Sequence, residues 1–188
     1  RWLSSQFNST KIKTTLPEFN LNKDKKNLFL WSEQGIGDQI LFLRFLKDLE
    51  PYVKELFINI DSRLHEIIRR INPKIKFLDK SDDYKKYIID YQMPIGNLGP
   101  LFAKDISHFN KNKNYLMADH ILTKELKNNF KTCKKYICGL SWISKNEEIG
   151  NKKSISLEIL KPILSNKNIE FLDLQYSNTS AERYRFFK

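Results

Sequence analysis

The feature that most constrains this chain is a strand-to-helix junction near its start. Leu28-Phe29-Leu30-Trp31 is a short continuous apolar run, the pattern of a strand covered on both faces. Gly35-Ile36-Gly37-Asp38 then makes a turn, and Ile40, Leu41, Leu43, Phe45, Leu46 and Leu49 read as an apolar helix that Pro51 stops. The same alternation recurs downstream. Val53 to Ile60 reads as a strand, Ser62 caps a helix to about Ile71, and Ile75–Leu78 and Tyr87–Tyr91 read as third and fourth strands. A Gly/Pro loop (Pro94, Gly96, Gly99, Pro100) and an irregular polar stretch, Lys104 to Asn114, precede a helix from Asp119 to about Phe130. Tyr136 to Trp142, a helix Leu157–Leu164 capped by Ser156, and Ile169–Leu174 complete the series. Strand and helix alternate throughout, which predicts an α/β chain: a Rossmann-like parallel sheet with helices on both faces, built from right-handed crossovers.

Composition narrows the functional classes. With 40% hydrophobic and 13% aromatic residues, a chain of 188 residues can bury a core, which excludes wholesale disorder. No apolar run approaches the ~18–20 residues of a membrane span, and the basic N-terminus lacks a signal-peptide core. A cytoplasmic location is expected. Cys133 and Cys138 are too few for a disulfide scaffold and have no paired His for zinc. The three histidines, His65, His108 and His120, are dispersed, so neither a metal site nor a hydrolase triad is expected. The net charge of +11 suits phosphate binding. Most of the excess is Lys scattered among Asn and Ile, however, so solvated lysines are favoured over a nucleic-acid patch. A chain beginning at Arg1 rather than Met is expected to be part of a longer one.

Ligands of a parallel sheet gather at the carboxyl ends of its strands. The first such loop, Ser32 to Asp38, offers Gln34, Gly35 and Gly37 for close backbone approach at a helix N-terminus. It is neither the dinucleotide fingerprint, since position 40 is Ile, nor a phosphate-binding P-loop. Asp38 has two readings. As a helix cap or first-turn acid it contributes about 0.5–2 kcal/mol, which spacing alone favours; as a general base it would deprotonate an acceptor hydroxyl. Glu33 reads as structural. A second cluster joins Ser141, Trp142 and Ser144 to Lys152, Lys153 and Ser154, hydroxyls and lysines suited to a diphosphate. A polar loop with ordinary surface lysines explains it equally well.

The run Leu28–Leu46, with its Glu33-Gln34-Gly35-Ile36-Gly37-Asp38 and Arg44, resembles the opening of heptosyltransferase-like (glycosyltransferase family 9) domains found after tetratricopeptide repeats in bacterial proteins. Further ordered matches are Met93-Pro94-Ile95-Gly96-Asn97-Leu98, Tyr115-Leu116-Met117-Ala118-Asp119, Gly139-Leu140-Ser141-Trp142, Lys153-Ser154-Ile155 and Leu174-Gln175-Tyr176. The resemblance implies a GT-B fold: 1–26 a lead-in, 27–130 an acceptor-side Rossmann-like domain, and 131–188 the incomplete beginning of a donor-side one. It implies inverting, metal-independent transfer of a sugar from a nucleotide-diphosphate donor to a hydroxyl of a glycan, lipid-linked or protein acceptor, without a cofactor. Asp38 maps to the proposed base. Ser141, Trp142 and Ser144 map to donor contacts, and Lys153 to the phosphate contact where relatives carry Arg; Ser154 and Gln175 are further substrate-binding candidates. The chain stops at Lys188, before the family's "D-T-x-x-x-H-L-A" segment. The fragment alone is therefore expected to be inactive, with its incomplete second part docked or self-associating. A non-catalytic binding module beside helical repeats is the alternative.

Overall fold

The computed structural model describes residues 12, 14–21, 24–79, 83–108, 114–144, 150–176 and 178–186. Lys11, Lys13 and part of the 104–114 stretch lie outside the described residues, as do 145–149 of the second cluster. The chain forms two compact units, Arg1–His120 and Ile121–Lys188.

The first unit is α/β with a parallel four-stranded sheet flanked by helices, a Rossmann-like arrangement. Strand β1 (Lys26–Trp31) lies between β2 (Val53–Asn59) and β4 (Tyr91–Pro94), with β3 (Lys76–Phe77) at the edge, in the order β3-β2-β1-β4. All pairs are parallel, with Leu30 opposite Ile58 on one side and Met93 on the other. β1 is central, which is why its apolar residues are consecutive rather than alternating. Leu28 and Leu30 face a core with Leu43, Phe45, Leu49, Ile68 and Leu98; Phe29 and Trp31 face a smaller one with Phe57 and Leu78.

The helices that cover the larger core are α1 (Ile36–Leu43), α2 (Leu46–Leu49), α3 (His65–Ile71) and α4 (Leu98–Phe102). The single helix expected after Asp38 is broken at Arg44-Phe45, where the Phe45 N–H turns back to the Phe42 carbonyl. On a straight helix Leu43 and Phe45 would stand about 200° apart; the break turns both inward. Ser62 does not cap α3. Asp61 instead accepts from the Arg63 N–H and opens a 3-10 turn, Ser62–Leu64, that leads into the helix.

The fourth strand lies further along than expected. Tyr87–Asp90 are not in the sheet, although they include two adjacent isoleucines of high strand propensity. Tyr84 stacks on Phe29, Tyr87 packs on Phe57, and Ile89 joins the smaller core, while Ile88 is 82% exposed. These residues close the sheet's second face. The ladder then begins where Asp90 meets Asn27: the Asp90 N–H donates to the Asn27 carbonyl, and the Asn27 N–H donates to Asp90 Oδ2 at 2.8 Å. The lead-in covers the outer edge of β4. The Phe19 N–H donates to Gln92 O and the Gln92 N–H to Pro17 O, both at 3.0 Å.

The second unit contains α5 (His120–Asn129) from its second residue on, β5 (Tyr136–Leu140), α6 (Leu157–Leu164), β6 (Ile169–Asp173) and α7 (Ser180–Phe186). β5 and β6 pair in parallel from Tyr136–Ile169 to Leu140–Asp173. Among its described residues the buried hydrophobic side chains are Trp142 and Leu157. No helix among the described residues is long and apolar enough to cross a membrane.

Candidate functional site

At the carboxyl end of β1 the Ser32 N–H still bonds to Asn59 O at 2.9 Å, so the sheet holds the base of the loop. Gly35 is the N-cap of α1 and, having no side chain, makes no cap bond. Asp38 is therefore a first-turn acid rather than a cap, and it is exposed. Gly37 faces open space, with no atom within 4 Å of where a Cβ would stand. The helix start is consequently accessible, with the carboxylate of Asp38 beside it.

Two polar side chains fix the loop around that opening. Gln39 is 5% exposed; its Nε2 donates to Gln34 O and its Oε1 accepts from the Asp61 N–H, both at 2.9 Å. It joins the loop after β1 to the loop after β2. Glu33 joins the loop after β1 to the loop after β4: Oε1 accepts from the Gly96 N–H at 3.0 Å and from Gln34 Nε2 at 3.1 Å. Burial pushes the Glu33 carboxyl above its usual range, against the opposing pull of these hydrogen bonds. A Cβ on Gly96 would lie 2.4 Å from Glu33 Oε1, so this glycine makes room for the chain's own carboxylate. The Tyr115 hydroxyl donates to Ile40 O of α1, and burial raises it to about 12, with nearby Arg44 pulling the other way.

The second cluster is held together by Gln175. Its Oε1 accepts from the Trp142 and Ile143 N–H groups, both at 3.0 Å, and from Ser141 Oγ at 3.2 Å; its Nε2 donates to Ile143 O at 2.9 Å. Ser154 Oγ donates to Gly150 O at 2.7 Å and accepts from the Ser144 N–H at 2.9 Å. Trp142 is buried, and its Nε1 donates to Glu182 Oε2 at 2.9 Å. Glu182 Oε1 accepts from the Leu157 N–H at 3.2 Å, so a glutamate from α7 takes the capping place expected of Ser156, which makes no side-chain cap bond. Lys153 is exposed at the end of a 3-10 turn, Gly150–Lys153.

The fold thus gathers Gln34, Gly35, Gly37 and Asp38 at one strand end, and Ser141, Trp142, Ser144, Ser154 and Gln175 at another. Gln39 and Glu182 are the polar residues that the spacing did not single out; a Gln within an apolar helix is the one available signal for the first. Among the described residues no three His, Cys, Asp or Glu side chains stand close enough to share a metal ion. His65 stacks on Phe77, and both cysteines are free thiols. Two concavities lie away from either cluster, one of about 300 Å³ between Tyr52, Phe102 and His108, the other of about 290 Å³ between Leu46, Ile71 and Lys74. Comparisons with protein-family models, curated proteins and solved structures return no match for this chain.

Proposed function

We propose that this chain belongs to an inverting, metal-independent glycosyltransferase of the GT-B type, carrying the acceptor side and the beginning of the donor side. The observation that carries the reading is Asp38: an exposed carboxylate on the first turn of α1, not used as a cap, at the carboxyl end of a central parallel strand. In the proposed reaction Asp38 takes the proton of an acceptor hydroxyl as that oxygen forms a bond to the anomeric carbon of the donor sugar. The bond from that carbon to the nucleotide diphosphate breaks on the opposite face, and the diphosphate leaves with the electron pair. Glu33 and Gln39 act as positioning residues, because they hold the loop that carries Asp38. On the donor side, Lys153 neutralises diphosphate charge.

A second reading is supported by a specific observation: Glu33, Gln175 and Glu182 already satisfy many of the polar groups that a ligand would otherwise meet. On that reading the chain is a non-catalytic binding module. Calorimetry of the complete protein, with its whole donor side, against a panel of nucleoside diphosphate sugars, followed by turnover of its Asp38→Asn variant, separates the two. The transferase reading expects one sugar nucleotide to bind and Asp38→Asn to bind it within a few-fold, with turnover about 10²–10⁴-fold lower. Near-normal turnover by Asp38→Asn removes the residue from catalysis, and an empty panel leaves the module.

A further inference from the structure

We propose that α5 and the turn after it form a docking surface for an anionic phospholipid bilayer. None of the ten residues of α5 is buried. Ile121, Leu122 and Leu126 are 74%, 52% and 48% exposed. Leu122 and Leu126 lie one turn apart, and Phe130 extends their row into a turn that stays helical in its bonding, with the Phe130 N–H on Lys127 O and the Lys131 N–H on Asn128 O. The adjacent row, one residue on, carries Thr123, Lys127 and Lys131. Lys124, Lys127, Lys131 and Lys134 are exposed, and no ion pair among the described residues involves them; Lys135 pairs with Glu170 at 3.2 Å. Glu125 is the single acid from 120 to 135.

A helix that covers a sheet buries its apolar row, and this one does not. A phosphate backbone would use the lysines and leave the leucines in water. A bilayer of anionic lipids uses both: the leucines enter the headgroup boundary while the flanking lysines meet lipid phosphates. The inference stands apart from the transfer reading, and its failure would leave that reading untouched.

The test is sedimentation of the protein with vesicles of phosphatidylglycerol and phosphatidylcholine, against phosphatidylcholine alone. Leu122→Gln/Leu126→Gln keeps the charge and suits a helix; it should lower partitioning by about tenfold, since each buried aliphatic side chain contributes at least a several-fold gain. Lys127→Glu/Lys131→Glu should lower it by more than about tenfold, at roughly fivefold for each lysine lost. Lys85→Glu/Lys86→Glu makes the same charge change on an exposed turn in the other unit and should cost under about threefold. Equal losses from the two lysine pairs would reduce the binding to net-charge adsorption and overturn the proposal. So would unchanged partitioning of the leucine variant, or duplex DNA binding with a steep salt dependence and no response to the leucines.

Discussion

Gln39 offers the sharpest test of how the candidate site is held. Gln39→Met keeps the length and helix compatibility of the side chain but removes both polar ends. The Asp61 N–H and the Gln34 carbonyl each lose a 2.9 Å partner. A fully buried backbone group left without a partner costs about 1–3 kcal/mol. Gln34 and Asp61 are half-buried, so water reaches them in part and the lower end applies. The sum is about 2 kcal/mol, and with a urea slope of about 1–3 kcal/mol per molar the midpoint should fall by about 1 M. Hydrogen exchange locates the effect. The Asp61 amide should lose protection beyond the change shared by the amides of β2, by about tenfold for each 1.4 kcal/mol of local opening. A midpoint within about 0.2 M of wild type, or an Asp61 amide that changes no more than that of Ile58, would refute the loop clasp.

Gly96→Ala should cost about 1 kcal/mol in urea unfolding, because the new methyl displaces Glu33 Oε1 and breaks its bond to the Gly96 N–H. Gly139→Ala meets Leu174 Cδ1 at 2.3 Å, yet Leu174 is 61% exposed and swings into solvent, so the loss should stay below about 0.5 kcal/mol. The folded-state pKa of Glu33 is raised above 4.5 by burial, so its stabilising contribution is present below about pH 4.5 and is lost as pH rises through the folded value. Glu33→Gln should therefore gain stability relative to wild type as pH rises across that window, measured by thermal unfolding; parallel pH profiles would place the carboxyl in water. In the complete protein, Lys153→Ala should weaken a nucleoside diphosphate by about 1.5–3 kcal/mol and the bare nucleoside hardly at all in calorimetry. An equal loss for both would show that Lys153 touches no phosphate.

The legibility of the sequence follows the range of the interactions. β1 was readable because burial on both faces writes itself into four consecutive apolar residues. Residues 157–164 were readable because a helix repeats its pattern over two turns. Tyr87–Ile89 misled because β-branched and aromatic residues serve equally as a strand or as a cover over one, and the choice was made by the Asn27–Asp90 pairing, 63 residues apart. The break at Arg44-Phe45 was hidden because each apolar residue fits a helix alone and the set does not fit one straight face. Gln39 and Glu182 act through partners 22 and 25 residues away, at distances where residue spacing carries no signal.

The two strand-to-helix junctions that carry the candidate residues differ in how their helix starts are occupied, and that difference bears on what each can do. At α6 the Leu157 N–H and the Trp142 indole share the carboxylate of Glu182, a negative group where the helix dipole favours one, worth about 0.3–1 kcal/mol. A diphosphate brought to the same helix end would meet that carboxylate before it met the backbone. Donor binding at this junction therefore needs either Glu182 to leave, exposing the Leu157 N–H, or the phosphates to lie further out, on the exposed Lys153 at the end of the 3-10 turn. At α1 the N-cap residue, Gly35, makes no side-chain cap bond, and beside it are Gly37 and an exposed Asp38. Glu33 and Gln39 are turned sideways there, joining loops rather than closing the helix start. The first junction is built open and braced from its flanks; the second is closed by its own chain. On the proposed reading an acceptor hydroxyl would meet the first as it stands, whereas a diphosphate would reach the second either once Glu182 leaves or by lying further out on Lys153.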